Sequence, residues 1–241
     1  MASKSPESDL FLTHYWQFYK SLENDFLSVE RYVTIDTDNF GTYSLEYNRL
    51  YQSICSEVDV VAKKLCELFE DTKANKITMY CQTITSHCEN FVNEQVIVNK
   101  NKSIVLTPWD GWKYISKQEF SNPEWWTNYN KVKHVRQNIC NDPDSKYYDK
   151  PFYKAATLEN VINALAALYI LNFYCMLVIC KKNDSSVGGD DCNSIYNAML
   201  PFFSEGLFSL PFWNSCCGSF IGEFVLRSAI EEKIKNYNIN I

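Results

Sequence analysis

No glycine-rich phosphate loop, no G-x-S-x-G and no H-E-x-x-H occurs anywhere in these 241 residues. The familiar phosphate-cradling loop, serine elbow and zinc-protease helix are therefore excluded. Basic residues are in the minority, with 23 Lys and Arg against 29 Asp and Glu and a net charge of -6. That balance excludes broad electrostatic binding to nucleic acid, which needs cations to neutralise phosphates. The ten cysteines include no C-x-x-C pair; the short spacings are Cys81/Cys88, Cys175/Cys180 and adjacent Cys216 and Cys217. Neither a metal site nor a cofactor is expected. Cys55, Cys66, Cys175 and Cys180 stand in apolar helical contexts, which reads as buried free thiols in a reducing cytoplasm rather than as disulfides. Met1 to Asp9 lacks the basic and apolar regions of a signal peptide, and there is no internal repeat. A cytoplasmic protein is expected.

What the chain does have is apolar material, 46% hydrophobic and 15% aromatic, enough for a substantial core. Apolar residues recur at helical spacing from Leu10 to Val29 and again from Leu45 to Phe69, where Leu50, Ile54, Val58, Val61, Leu65 and Leu68 form one stripe behind Ser44 as N-cap. A further helix is expected over Asn75 to Phe91. Gln95 to Val98 and Ser103 to Leu106 flank a polar turn and read as a β-hairpin. Another helix is expected from about Pro123 to Gln137, with Asn122 as cap and Pro123 in the first position. Thr157 caps a final long helix whose apolar run reaches Cys180. That run has the length of a membrane span, but Glu159, Asn160, Asn163 and Asn172 fit a buried central helix better, so no membrane is expected.

One stretch breaks the acidic background. From Trp125 to Cys140 there is no carboxylate, while Lys131, Lys133 and Arg136 are cationic. On a helix turning about 100° per residue, Asn130 and His134 share a face and are placed to address one ligand. Arg136 lies roughly 160° from His134, on the face of Trp125, Tyr129 and Val132. Both reach one phosphate only if the helix ends near His134 or the two meet across a dimer axis; otherwise Arg136 stacks on a tryptophan. An imidazole at 134 suits acid–base work on a ribose hydroxyl, although a lone helical histidine is more often structural. His134 and Arg136 are thus the catalytic candidates, and Asn130, Lys131, Lys133, Trp126 and Glu57 the binding candidates. Trp126 is placed to stack a base, with core packing as the plainer role. Glu57 and Lys64 lie on one edge of the long apolar stripe, about 60° to 80° from its centre, where a charge either reaches solvent or enters a cleft beside the His134 helix.

Thr42-Tyr43-Ser44 before a long helix containing Ser56-Glu57-Val58, the segment Trp125-Trp126-x-x-Tyr129-Asn130-Lys131-Val132-Lys133-His134-x-Arg136, and Ala156-Thr157-Leu158-Glu159-Asn160-Val161 through Leu168 together resemble a group of bacterial HEPN-like proteins over about Leu10 to Cys180. The resemblance implies an all-α, HEPN-like helical bundle, often a homodimer. In active members it implies a metal-independent endoribonuclease of a defence or toxin type, whose Arg and His flank the scissile phosphate. Inactive members bind RNA, nucleotides or partners. The active motif is Arg, four to six residues, then His; here Thr127, Asn128, Tyr129 and Asn130 fill the positions four to seven residues before His134, and the only close arginine follows the histidine. The competing class is a non-catalytic helical interaction or scaffold protein, and the residues leave both open. The expected organisation is a helical bundle over 8–182 with a small β-hairpin insertion, a flexible link over 183–193, and a C-terminal helical appendage over 194–241 packed on the core.

Overall fold

α1 (Pro6–Phe11), one π-helical turn (Leu12–Trp16) and α2 (Gln17–Val29) form a single rod in a computed structural model that describes residues 6–116, 119–187 and 206–211, with backbone alone for 183–187. The rod starts at Pro6 rather than Leu10. A π-turn holds one residue more than an α-turn and rotates the helix after it against the helix before it. Phe11 and Trp16, five positions apart, therefore both reach the core, followed by Tyr19, Leu22, Phe26 and Val29, while Phe18 is exposed.

Ser44 caps α3 (Leu45–Leu68), its hydroxyl accepting from the Tyr47 N–H at 3.0 Å. Leu50, Ile54, Val58, Val61 and Leu65 are fully buried along α3, which packs lengthwise on α6 (Leu158–Val187). Each such side chain contributes about 1.5–3 kcal/mol on burial. At the start of α6, Thr157 Oγ1 accepts from Asn160 N–H at 3.4 Å. From Val161 to Cys180 only Asn163 is less than buried. The most apolar window of this helix is long enough to cross a membrane, yet 94% of it is buried inside the protein, so internal packing accounts for its composition. α4 (Ile77–His87) flanks α3.

The helix runs on to Val187, so the first residues of the expected 183–193 link are helical. Propagation adds one hydrogen bond per residue, and nothing from Lys181 to Val187 is a proline or glycine that would stop it. The rest of that link, and the helices expected at Ser194 to Phe203 and Ser219 to Tyr237, lie outside the described residues.

Two small antiparallel sheets interrupt the helices, so the architecture is a predominantly helical bundle rather than purely α. β1 (Val96–Val98) pairs with β2 (Val105–Leu106), the expected hairpin. β3 (Lys113–Tyr114) and β4 (Phe120–Ser121) make a second hairpin that no alternation in the sequence marks. The outer edge of β1 is taken by β5 (Phe208–Ser209). This strand falls between the helices expected at Ser194 to Phe203 and Ser219 to Tyr237, and its extended chain satisfies the free N–H and C=O groups of the β1 edge. Glu23, 2% exposed, accepts from Leu207 N–H at 2.8 Å, and Asn99 Nδ2 donates to Gly206 O at 2.8 Å.

α5 (Glu124–Val135) carries the basic stretch. Pro123, not Asn122, occupies its N-cap, with ψ 146° holding the backbone extended, and the Asn122 side-chain oxygen is buried without a hydrogen-bond partner among the described residues. Two bonds lock this helix in place, and a third fixes the loop it packs on. Tyr51 OH of α3 donates to Trp125 O, Trp125 Nε1 donates to Pro108 O at 2.5 Å, and the neighbouring Trp109 Nε1 reaches Ala167 O of α6 at 3.2 Å.

Candidate functional site

The α5 helix stops at Val135, and Arg136 is its C-cap. From there the chain loops out and returns antiparallel to itself. Arg136 O accepts from Tyr153 N–H at 2.8 Å, Asn138 O from Phe152 N–H at 3.1 Å, and Lys150 O from Cys140 N–H at 3.0 Å. This ladder ends in a short 3-10 turn, Phe152–Ala155, which sets Tyr153 beside Arg136. On the other side, the Ser44 cap fixes the first turns of α3, and a bridge between Tyr43 and Thr157 ties Tyr43 to the start of α6.

Between these walls lies an open groove of about 830 Å³, lined by Tyr43, Leu45, Asn48, Gln52, Arg136 and Tyr153 among others. The Tyr43 and Tyr153 rings stand 6.0 Å apart at 67°, each more than 40% exposed. Arg49, also on the wall, is held by Glu46 at 2.5 Å and Asp25 at 3.2 Å. Its bond to Arg49 keeps Glu46 below the usual carboxylate range. Around the rim, Lys131 sits over the Phe152 ring at 5.2 Å and Lys154 over the Tyr43 ring at 5.6 Å. Among the described residues, Lys131, Lys133, Arg136, Lys150 and Lys154 have no carboxylate within ion-pair distance. On a chain of net charge -6, Lys131, Arg136 and Lys154 give the groove a positive rim. Part of it has a purely structural use, since cations in the last turn of α5 complement the negative end of the helix dipole.

No protein-family model, no curated protein and no solved structure matches the chain. The functional reading rests on the geometry of the groove.

That geometry separates the residues singled out by sequence. Arg136 enters the groove. His134 is exposed and does not line it. Asn130 does not reach out beside His134: its amide is turned back onto Trp126 O at 3.0 Å. Lys133 lies over the Tyr129 ring at 5.5 Å, and Lys131 belongs to the rim. Trp126 is 6% exposed and packs edge-on to Trp125 at 5.7 Å, so it is a core residue and offers no face to a base. The exposed rings lining the groove are Tyr43 and Tyr153, and neither stood out in sequence, because exposure of an aromatic depends on what the loops leave uncovered. The lysines at 150 and 154 carried no signal in sequence, because their neighbours in space are far from them in the chain.

Glu57 is on the opposite edge of α3 from α5. Its charge acts on Tyr15 of the π-turn, and Lys64, on the same edge, pairs with Glu7 at 3.9 Å. Half-buried, its carboxyl is pushed up to about 7 by loss of water. A carboxyl raised in the folded state keeps its proton between the ordinary value of 4.5 and about 7, where the unfolded chain has already released it. Folding then binds the extra proton, and stability falls as pH rises through that window. Glu57→Gln, neutral throughout, is expected to gain about 1 kcal/mol on the wild type between about pH 4 and about pH 8, a figure discounted for partial solvent access. Urea melts at both pH values measure it; a difference that does not change with pH removes the assignment.

Proposed function

We propose that the protein is an HEPN-like RNA- or nucleotide-binding protein that holds single-stranded RNA in the Tyr43–Tyr153–Arg136 groove. The observation that carries this reading is the pairing of two exposed tyrosine rings with Arg136 and a rim of lysines that have no carboxylate partner among the described residues, on an otherwise acidic chain. Aromatic faces stack bases irrespective of sequence, and cations along the same path meet the phosphates. Asn48 and Gln52 add amides able to bond base edges. Catalysis is the further arm of the proposal. His134 would act as acid–base and Arg136 as phosphate contact only if a two-fold pair of chains brought one residue of each together, with Lys133 adding charge. The competing reading, a non-catalytic module for a protein partner, draws on Leu45, 92% exposed at the groove.

One experiment separates these. Labelled single-stranded RNA is titrated with protein in EDTA, and the same samples are run on a denaturing gel. Arg136→Ala is expected to weaken binding about tenfold, the loss typical of one charge-assisted contact. Cleavage that disappears in His134→Ala would establish the ribonuclease arm, and intact RNA throughout would leave binding alone. No affinity for RNA in the wild type would favour the interaction module.

A further inference from the structure

Beyond Tyr43 the surface continues into a second, smaller cavity of about 260 Å³, lined by Tyr43, Lys146, Lys150, Lys154, Thr157 and Glu159 among others. Tyr43 is thus a shared wall: one side belongs to the aromatic groove and the other to a chamber with three lysines. The wall is rigid. Thr42 O accepts from Leu158 N–H at 2.9 Å and Phe40 O from Glu159 N–H at 3.2 Å, so the 40–43 segment is bonded to the first turn of α6. Those same bonds, with Asn160 N–H on Thr157 Oγ1, occupy the first amides of the helix. Any anion in the chamber must be held by lysines and not by the helix end. Lys150 and Lys154 have no carboxylate partner among the described residues, whereas Lys146 is bound to Glu124 at 3.0 Å and Glu159 at 2.8 Å.

Past Lys146 the sign of the surface reverses. A third cavity of about 180 Å³ is lined by Asp110, Glu124 and Glu159, with Lys146 as its only cation. A polyanion running on through the lysine chamber would meet these carboxylates, and like charges at close range disfavour that path.

We propose that the lysine chamber recognises a terminal phosphate monoester of a single-stranded RNA whose end nucleoside lies in the Tyr43–Tyr153 groove. The proposal rests on the groove being an RNA site and deepens it, making the site a reader of phosphorylated ends rather than a channel for a passing strand. A monoester carries more charge than an internal diester and presents three oxygens to donors, which matches a chamber open to Lys150 and Lys154 and closed behind by Glu159.

The test uses short single-stranded RNAs of one sequence carrying a 5′-phosphate, a 3′-phosphate or neither, titrated by fluorescence anisotropy against the full chain. One phosphorylated form is expected to bind about tenfold tighter than the unphosphorylated RNA. The double substitution Lys150→Ala with Lys154→Ala is expected to abolish that preference, so that phosphorylated and unphosphorylated RNAs bind alike; Arg136→Ala should weaken all three. Both lysines reach solvent, and circular dichroism checks that the variant is folded. Equal affinity for all three RNAs overturns the end-recognition proposal while the groove reading stands. A preference that survives the double substitution overturns the lysine chamber as its source. No binding of any RNA overturns both readings together.

Discussion

Replacing Glu23 by alanine is expected to lower stability by about 3 kcal/mol and to release the 206–211 segment from the sheet. The carboxylate is 2% exposed and holds three partners at once. Tyr19 OH donates to it at 2.8 Å, Leu207 N–H at 2.8 Å, and Lys20 forms an ion pair from the next turn of α2. Alanine leaves a buried hydroxyl and a buried amide without an acceptor, and such groups cost more than the bond itself is worth in water. The segment packs closely on this carboxylate, since a Cβ at Gly206 would lie 3.1 Å from Glu23 Oε1. Glu23→Gln keeps one acceptor and is expected to lose about half as much. Urea denaturation gives the stability, and limited proteolysis gives the release, as new cleavage next to Leu207 or Phe208. A loss below about 1 kcal/mol with unchanged proteolysis would mean that β1 pairing alone holds the segment.

Trp109→Ala is expected to cost about 3–5 kcal/mol, the range for deleting a fully buried aromatic. Trp109 has no solvent exposure and lies at the junction of three elements. Its ring meets Trp112 at 4.4 Å, Trp125 of α5 at 5.4 Å and Phe91 at 5.4 Å, and its Nε1 reaches α6 at Ala167 O. The substitution therefore removes the filler between α5 and the core, and it should also blunt RNA binding because α5 positions Arg136. Trp109→Phe retains most of the ring contacts and is expected to lose about 1–2 kcal/mol. Thermal melts together with anisotropy on folded protein check both parts. A stability loss with affinity untouched would show that the returning loop, and not α5, holds Arg136 in place.

The helices were legible because periodicity is a local property. Ser44, the stripe from Leu50 to Leu68 and Thr157 predict α3 and α6 from nearest neighbours alone, and both helices formed there. Burial of α6 was legible too, since its polar residues are too few for an exposed helix and too many for a comfortable span. The π-turn at Leu12–Trp16 was not, because its reason is a Trp16 that must reach Tyr169 across the core at 6.1 Å. Nor was β5, because its partner is an edge of β1 more than a hundred positions away in the chain.

For the site, sequence alone determined that a carboxylate-free run of cations ends α5, and that His134 and Arg136 lie on different faces of that helix. Only the tertiary structure decided which of them enters a groove, that Trp126 is core, that Glu57 belongs to another edge, that Tyr43 and Tyr153 line the groove with Arg136, and that Lys150 and Lys154 line the cavity beyond Tyr43. The reason is physical. Helical phase is set by bonds four residues apart, whereas exposure and charge clustering are set by the returning loop and the capped start of α3, which meet only when the chain is folded.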